Sequence, residues 1–369
     1  MTEENTALPF FFLDEDLNNA KDFFKTYELI NCDFAKIEDD SFLKDPIDRI
    51  CRYCGLSYPT VTFDKLAHTI PEFFGNHCSV SDFECDSCNK KFGDLENQLS
   101  NYIRPIVTIN RVKGKKKIPT SPSSDNKTIA KKIDFFDAKD AVEYGSTRSS
   151  TENITYNEET GAHIVKHTTE PYIPYDVYKA FLKMAMGLLP HEEIKDYAPA
   201  FEILKDTRNR NFINQDIFNA YVHYVSVPYN LVGIYLFKAI DKQSEVPPLS
   251  FVFCFRQVMF QIFIPFSSDF LNKLNGRNTI LLQIMPPMLP EEKANGFSYK
   301  FAVEIFNSIE KTTKDHYITI MPKDRNAKRV VINRDTNEIV EGYVFNPNNS
   351  VSFIITDDDF SIKPNELSK

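Results

Sequence analysis

The sequence predicts an α+β chain in two main parts: a small N-terminal module held by paired cysteines, and a larger C-terminal α+β domain with an antiparallel sheet. Three observations predict it. Four of the seven cysteines form two Cys-x-x-Cys pairs, Cys51/Cys54 and Cys85/Cys88. In "PYIPYDVYKAFLKMAMGLLP", Val177, Phe181, Met184, Ala185 and Leu188 recur with the period of one buried helix face. Apolar runs further on, "LSFVFCFRQVMFQIFIPF", "NTILLQIMP" and "YITIMP", read as strands, and "RVVINRDTNEIVEGYVF" as a late hairpin.

The elements follow in order. Residues 1–48 form an N-terminal extension, in which Leu17, Ala20, Phe23, Phe24 and Tyr27 are spaced for a helix. Residues 49–103 carry the cysteines. Residues 104–170 are a basic linker with a β segment, "AHIVKHTTE", and a turn-rich stretch, "PTSPSSDN", that reads as a mobile loop. Residues 171–369 form the C-terminal domain, its first helix opened by Pro174 and Asp176 and closed by Pro190.

Composition narrows the function. In a chain of 369 residues, 42% hydrophobic and 26% charged residues are ordinary for a globular protein. A net charge of −9 excludes a surface that attracts nucleic acid everywhere, so such a site has to be a local basic patch. The acidic start "MTEENTALPFFFLDEDL" lacks the marks of a signal peptide, and no apolar run is long enough to span a membrane, so a cytoplasmic location is expected. An odd cysteine count clustered as Cys-x-x-Cys pairs points to metal rather than disulfides.

Two such knuckles converge naturally on one tetrahedral zinc with no open position, which makes that ion a structural staple. Cys78 and His77 compete as ligands but have no knuckle partner. Between the pairs, Val61 to Phe63 begin a strand that continues to His68; a Gly75–Asn76 turn leads to a second strand in "SVSDFE". Phe92, Leu95, Leu99 and Ile103 then mark a helix starting near Asn89. Seven residues apart, Asn89 and Glu96 share a face of that helix.

With "AHTIPEFFGN", "ECDSCNKKF" and Glu96 in this order, residues 51–103 resemble the HNH, or ββα-metal, endonucleases, in particular a bacterial branch of that family. The resemblance implies a metal-dependent endonuclease acting on nucleic acid, most readily DNA. It implies His68 as general base and Asn89 as a ligand of a catalytic magnesium or manganese ion, for which an amide oxygen is a suitable donor. Many relatives carry an acid directly before the base, where this chain has Ala67. The missing carboxylate falls first to Glu96 and second to Asp64, which shares a strand face with His68 at four residues' distance; Glu72, Asp82, Glu84 and Asp86 are unranked. By the same resemblance, a role in defence against phage, with a homo-oligomer or a defence-system protein as partner, is an expectation for the C-terminal domain, which senses, dimerises or docks.

Arg111, Lys113, Lys115, Lys116 and Lys117 follow the module, in a segment that also holds Arg104, Lys127, Lys131 and Lys132 against the single acid Asp125. Beside a nuclease they read as an arm tracking phosphates; by themselves they read as a solvated loop. His163 and His167 have ligand spacing for a helix but lie in a predicted strand, which favours a structural role. Simpler readings exist for the site residues as well: Asn89 as a helix N-cap, Glu96 as a solvated charge, His68 as a turn residue. A zinc-ribbon nucleic-acid-binding protein without catalysis accounts for the cysteines alone, and a degenerate HNH fold serving only interaction accounts for Ala67.

Overall fold

The computed structural model describes residues 9–35, 48–77, 79–135, 138–146, 153–157, 159–205, 215–274, 280–291, 296–320 and 352–355. Cys78 and the expected hairpin at 329–345 lie outside them. In chain order the elements are α1 (Leu17–Thr26), β1 (Tyr27–Phe34), β2 (Ala67–His68), β3 (Val80–Ser81), α2 (Asp86–Ile109), β4 (Ser121–Pro122), β5 (Thr128–Phe135), β6 (Ala138–Ser146), β7 (Ile154–Asn157) and β8 (Ala162–Thr168). Then come α3 (Pro174–Leu188), α4 (Ala198–Lys205), β9 (Asn219–Ala239), β10 (Leu249–Ile264), α5 (Ser268–Leu274), β11 (Tyr299–Ile305), β12 (Asp315–Ile320) and β13 (Ser352–Ile355). This is a mixed fold of helices and antiparallel sheet. No described helix is long and apolar enough to cross a membrane. The chain forms two compact units, Met1–Ser100 with Ile173–Lys311, and Asn101–Tyr172 with Thr312–Lys369.

The first unit is built on an antiparallel sheet of order β1-β9-β10, with β11 also paired to β9. Strand β10 is apolar almost without alternation because both of its faces are covered. On one face Val252, Cys254 and Met259 pack with Phe23, Tyr27, Phe237 and Phe263. On the other, the rings of Phe253 and Phe260 meet Phe181 of α3 at 5.6 and 5.1 Å. Helix α3 is buried nearly all round, including Lys179 and Lys183. Pro174 occupies its first turn, where a missing N–H costs nothing.

Residues 280–286, the described part of the strand expected from "NTILLQIMP", form none. Their backbone is held by a side chain instead: the buried Gln261 accepts from Met285 N–H at 2.9 Å and donates to the Gln283 carbonyl at 3.3 Å. With those groups satisfied, no neighbouring strand is required.

In the second unit, sheets β12-β8-β7 and β13-β6-β5-β4 enclose a core of Ile118, Ala130, Val142, Tyr144, Ile154 and Val165. The expected mobile loop at 119–126 is an ordered hairpin connection. Ser121 pairs with Ala130, and the Ser123 hydroxyl accepts from the Lys127 and Thr128 N–H groups at 3.1 and 2.9 Å. His167 is buried between the hydroxyls of Thr128 and Ser121, at 3.0 and 3.3 Å, and burial pulls it down to about 4. It is a core histidine, as the strand pattern suggested.

Candidate active site and metal centre

The four knuckle cysteines come together. The sulphurs of Cys51, Cys54, Cys85 and Cys88 all lie within 4.8 Å of one another, and Cys54 and Cys85 are 3.8 Å apart. Ligands about 2.3 Å from the centre of a tetrahedron stand roughly 3.8 Å from each other, so the set fits one zinc. The Cys85 N–H points at the Cys51 sulphur at 3.5 Å, the outer-shell donor that a bound thiolate uses. The hydrogen bond from Cys88 holds the Cys51 thiol well below its ordinary range, and donating that bond, with burial, pushes Cys88 up. Among the described residues this is the one group of three or more His, Cys, Asp or Glu side chains close enough to share an ion.

The cysteines stand at the head of α2. The helix starts at Asp86, three residues before the expected start. The Asn89 N–H is already committed to the Cys85 carbonyl at 2.9 Å, so Asn89 lies inside the first turn and is not the cap. Its carboxamide donates to the Leu66 carbonyl at 3.3 Å, joining the helix to the residue before β2. The expected strand over Val61–His68 shortens to Ala67–His68, which pairs with Val80–Ser81. The cause is Asp86, whose carboxylate accepts from Thr62 Oγ1 at 2.5 Å and from the Asp64 and Lys65 N–H groups at 3.1 and 2.9 Å. Asp64 therefore sits in an exposed loop, and the strand alternation that set it on the face of His68 does not operate.

The loop between β2 and β3 is tied by the buried Asn76. It donates to the carbonyls of Ile70 at 2.6 Å and Ser79 at 3.2 Å and accepts from the Ser79 N–H at 2.9 Å. Gly75, at φ +83°, makes the turn that aims it. His68 is mostly buried; its Nε2 lies 3.6 Å from Glu72, an ion-pair distance, and its ring also interacts with the Ser79 backbone. Burial draws the imidazole below its usual range, with Glu72 pulling the other way, so it is neutral at pH 7.

Lys183, unmarked by any motif, reaches the same place from α3. Its ammonium donates to the His68 carbonyl at 2.6 Å and lies 3.2 Å from Glu84 and 3.3 Å from Glu96. Burial alone would lower this ammonium, but the two carboxylates outweigh it and hold it charged. Burial pushes the Glu84 carboxyl up to about 7 against the pull of Lys183. Glu96, expected as a free carboxylate, thus shares a cation with Glu84 while remaining partly exposed. Two further contacts tie the zinc knuckle to α3. Arg52, its guanidinium over the Phe83 ring at 3.8 Å, donates to the carbonyls of Met186 and Gly187 at 3.0 Å and of Leu189 at 2.6 Å. The Tyr53 hydroxyl donates to the Lys183 carbonyl at 3.2 Å.

The basic segment is partly neutralised from within. Lys113 pairs with Asp140 at 2.6 Å, Lys132 with the same carboxylate at 2.5 Å, and Lys131 with Glu143 at 3.2 Å. Arg104 pairs with Glu170 at 2.7 Å. Arg111 adopts φ +54°, and Lys115, Lys116 and Lys117 are exposed.

Set beside known proteins, residues 51–101 match the family model described as HNH endonuclease. No curated protein and no solved structure matches the chain. The matched segment contains all four cysteines, His68, Asn89 and Glu96; it implies nuclease chemistry and a nucleic-acid substrate. Lys183 lies outside it.

Proposed function

We propose that this protein is a metal-dependent HNH endonuclease that hydrolyses phosphodiester bonds, most readily of DNA, with His68 as general base and a structural zinc on the four cysteines. The observation that carries this reading is the placement of His68, its imidazole drawn down by burial, on a short strand whose preceding residue is bonded by Asn89 of the cysteine-anchored helix. An imidazole that is neutral at pH 7 can take a proton from water.

Asn89 and the exposed part of Glu96 are the protein's oxygen donors toward a catalytic ion. The described residues offer no closed carboxylate cage, which suits magnesium or manganese, since magnesium commonly keeps waters and substrate phosphates as its remaining ligands. Once bound there, such an ion supplies charge neutralisation at the phosphate and the leaving oxygen. The exposed lysines 115–117 add sequence-independent attraction for the phosphate backbone. Anti-phage defence, with a second copy or another defence protein as partner, is the biological setting proposed for this activity.

The test is plasmid cleavage by the purified chain with magnesium or manganese. His68→Ala is expected to lose about 10²–10⁴-fold in rate while keeping zinc, fold and DNA binding. Asn89→Ala and Glu96→Ala are expected to be partly rescued by raising the metal concentration, and His68→Ala not at all. Full cleavage by His68→Ala refutes the assignment and leaves a binding protein with a zinc ribbon.

A further inference from the structure

Strand β11 lies at an edge of the first unit's sheet. It pairs with β9 on one side, and among the described residues no strand pairs with its other side. Two flanking bonds set its parity: the Ser226 N–H donates to the Ser298 carbonyl at 2.9 Å, and the Phe306 N–H to the Phe218 carbonyl at 3.2 Å. The register between them runs without a shift from Tyr299↔Val225 to Ile305↔Asn219. The even-numbered residues therefore turn their backbone groups to β9, and Tyr299, Phe301, Val303 and Ile305 turn theirs away from the sheet.

Native edge strands are blunted by proline, by a bulge or by charges that repel a second strand. The sequence YKFAVEI contains no proline, and its pairing to β9 has no bulge. The side chains of Phe301, Val303 and Ile305 alternate onto one face and are 45%, 46% and 62% exposed. An open backbone edge thus carries an apolar ladder along its length. The strand's two charges, Lys300 and Glu304, stand two residues either side of Ala302, which makes the strand its own complement.

We propose that β11 is the surface through which two copies of this chain associate, edge to edge and antiparallel about a two-fold axis at Ala302. The register that overlaps all seven residues sets Lys300 of each copy opposite Glu304 of the other. It also brings outward backbone groups together, Phe301 opposite Val303 and Tyr299 opposite Ile305. Ala302 meets its own counterpart at a non-hydrogen-bonded position, where the backbones come closest and a small side chain fits. Every other register that joins outward groups loses both charge pairs and shortens the overlap. Glu304 accepts from the Tyr224 hydroxyl at 3.2 Å, and a carboxylate has acceptor capacity for a lysine as well. The joined sheet takes four strands from each copy. This gives the second copy invoked above a definite surface, and it rests on the strand, not on the nuclease reading.

The experiment is sedimentation equilibrium of the full chain over a range of concentration, with amide exchange read in parallel. A reversible dimer is expected, with exchange at Phe301, Val303 and Ile305 slowing as it forms. Lys300→Glu is expected to weaken the dimer about tenfold or more, since two attractive cross-strand pairs become two repulsive ones. Adding Glu304→Lys to that variant is expected to restore the dimer, because the charges are exchanged and still opposite. Val303→Lys, at a half-exposed position, is expected to give a folded monomer and serves if the doubly changed chain does not fold. A single-chain mass into the hundred-micromolar range, or a dimer unchanged in folded Lys300→Glu or Val303→Lys, overturns the proposal. So does a folded double variant that stays as weak as Lys300→Glu. Mass and exchange are read without substrate, so failure here and failure of the nuclease reading are separate results.

Discussion

The strand–helix junction that carries His68 and Asn89 is fastened on two sides by opposite chemistries. On one side stand four sulphurs spaced for a zinc, two of them at the head of α2 and two on the knuckle before β2. On the other stands one ammonium, Lys183, which holds the His68 carbonyl and two carboxylates. The sulphur side is local: its ligands come from within 38 residues of sequence. The ammonium side is remote, supplied by α3, far along the chain from His68. The sulphur side would take its stability from an ion bound there. The lysine side has its partners already in place, Lys183 and Glu84 out of water and Glu96 partly exposed, and only their mutual satisfaction makes the burial tolerable.

The comparison breaks most visibly if the sulphurs are disturbed. Cys51→Ser is expected to abolish zinc binding and unfold residues 49–103, since structural zinc contributes on the order of 10 kcal/mol to folding. Elemental analysis of the soluble protein together with limited proteolysis checks this; soluble, active protein without zinc overturns it.

Next in size is Lys183→Met, which leaves Glu84 buried without its cation. Breaking a buried pair in this way costs about 3–5 kcal/mol, to be read from denaturant midpoints. Combining it with Glu84→Gln is expected to recover part of the loss, because the second change removes the stranded charge. Strictly additive losses show that the two side chains act independently and that the ammonium is not the second fastening.

The smallest effect sharpens the contrast between a buried ammonium and exposed ones. Neutralising Lys115, Lys116 and Lys117 to Gln is expected to leave the midpoint unchanged. It lowers the salt slope of duplex binding by about 0.9 for each phosphate that is no longer neutralised. Binding isotherms across a range of salt concentrations measure it, and an unchanged slope returns these lysines to a solvated loop. Lys113 is left out of that set because Asp140 already holds it.

How far the sequence can be read follows from the same contrast. The cysteine cluster is legible because two knuckles at short reach leave few other arrangements, and α3 because its apolar period is unbroken. The helix α2 starts three residues earlier than its apolar period indicates, and the strand before His68 is shorter. At the strand Asp86 overrides the apolar pattern by capturing the Asp64 and Lys65 N–H groups through a side chain, which periodicity does not register. Likewise Gln261 replaces the strand partner expected near Met285. Lys183 does leave a signal in the sequence. Two lysines four residues apart, Lys179 and Lys183, in a helix otherwise apolar nearly all round cannot both reach water, so buried acidic partners are implied. Which carboxylates answer them is a matter of tertiary contact and not of spacing.

The Arg52 contact has a consequence for portability. The C-terminal carbonyls of α3 would ordinarily need a glycine cap or water, and here a guanidinium from the zinc knuckle takes three carbonyls at that end. The segment recognisable as HNH is therefore not a cassette. Excised or grafted onto another protein at its family boundaries, it would keep its sulphurs but leave behind the ammonium under His68 and strand Arg52 without its helix end. The smallest transplantable form of this segment is discontinuous, and any shuffling of it has to carry α3 along with the cysteines.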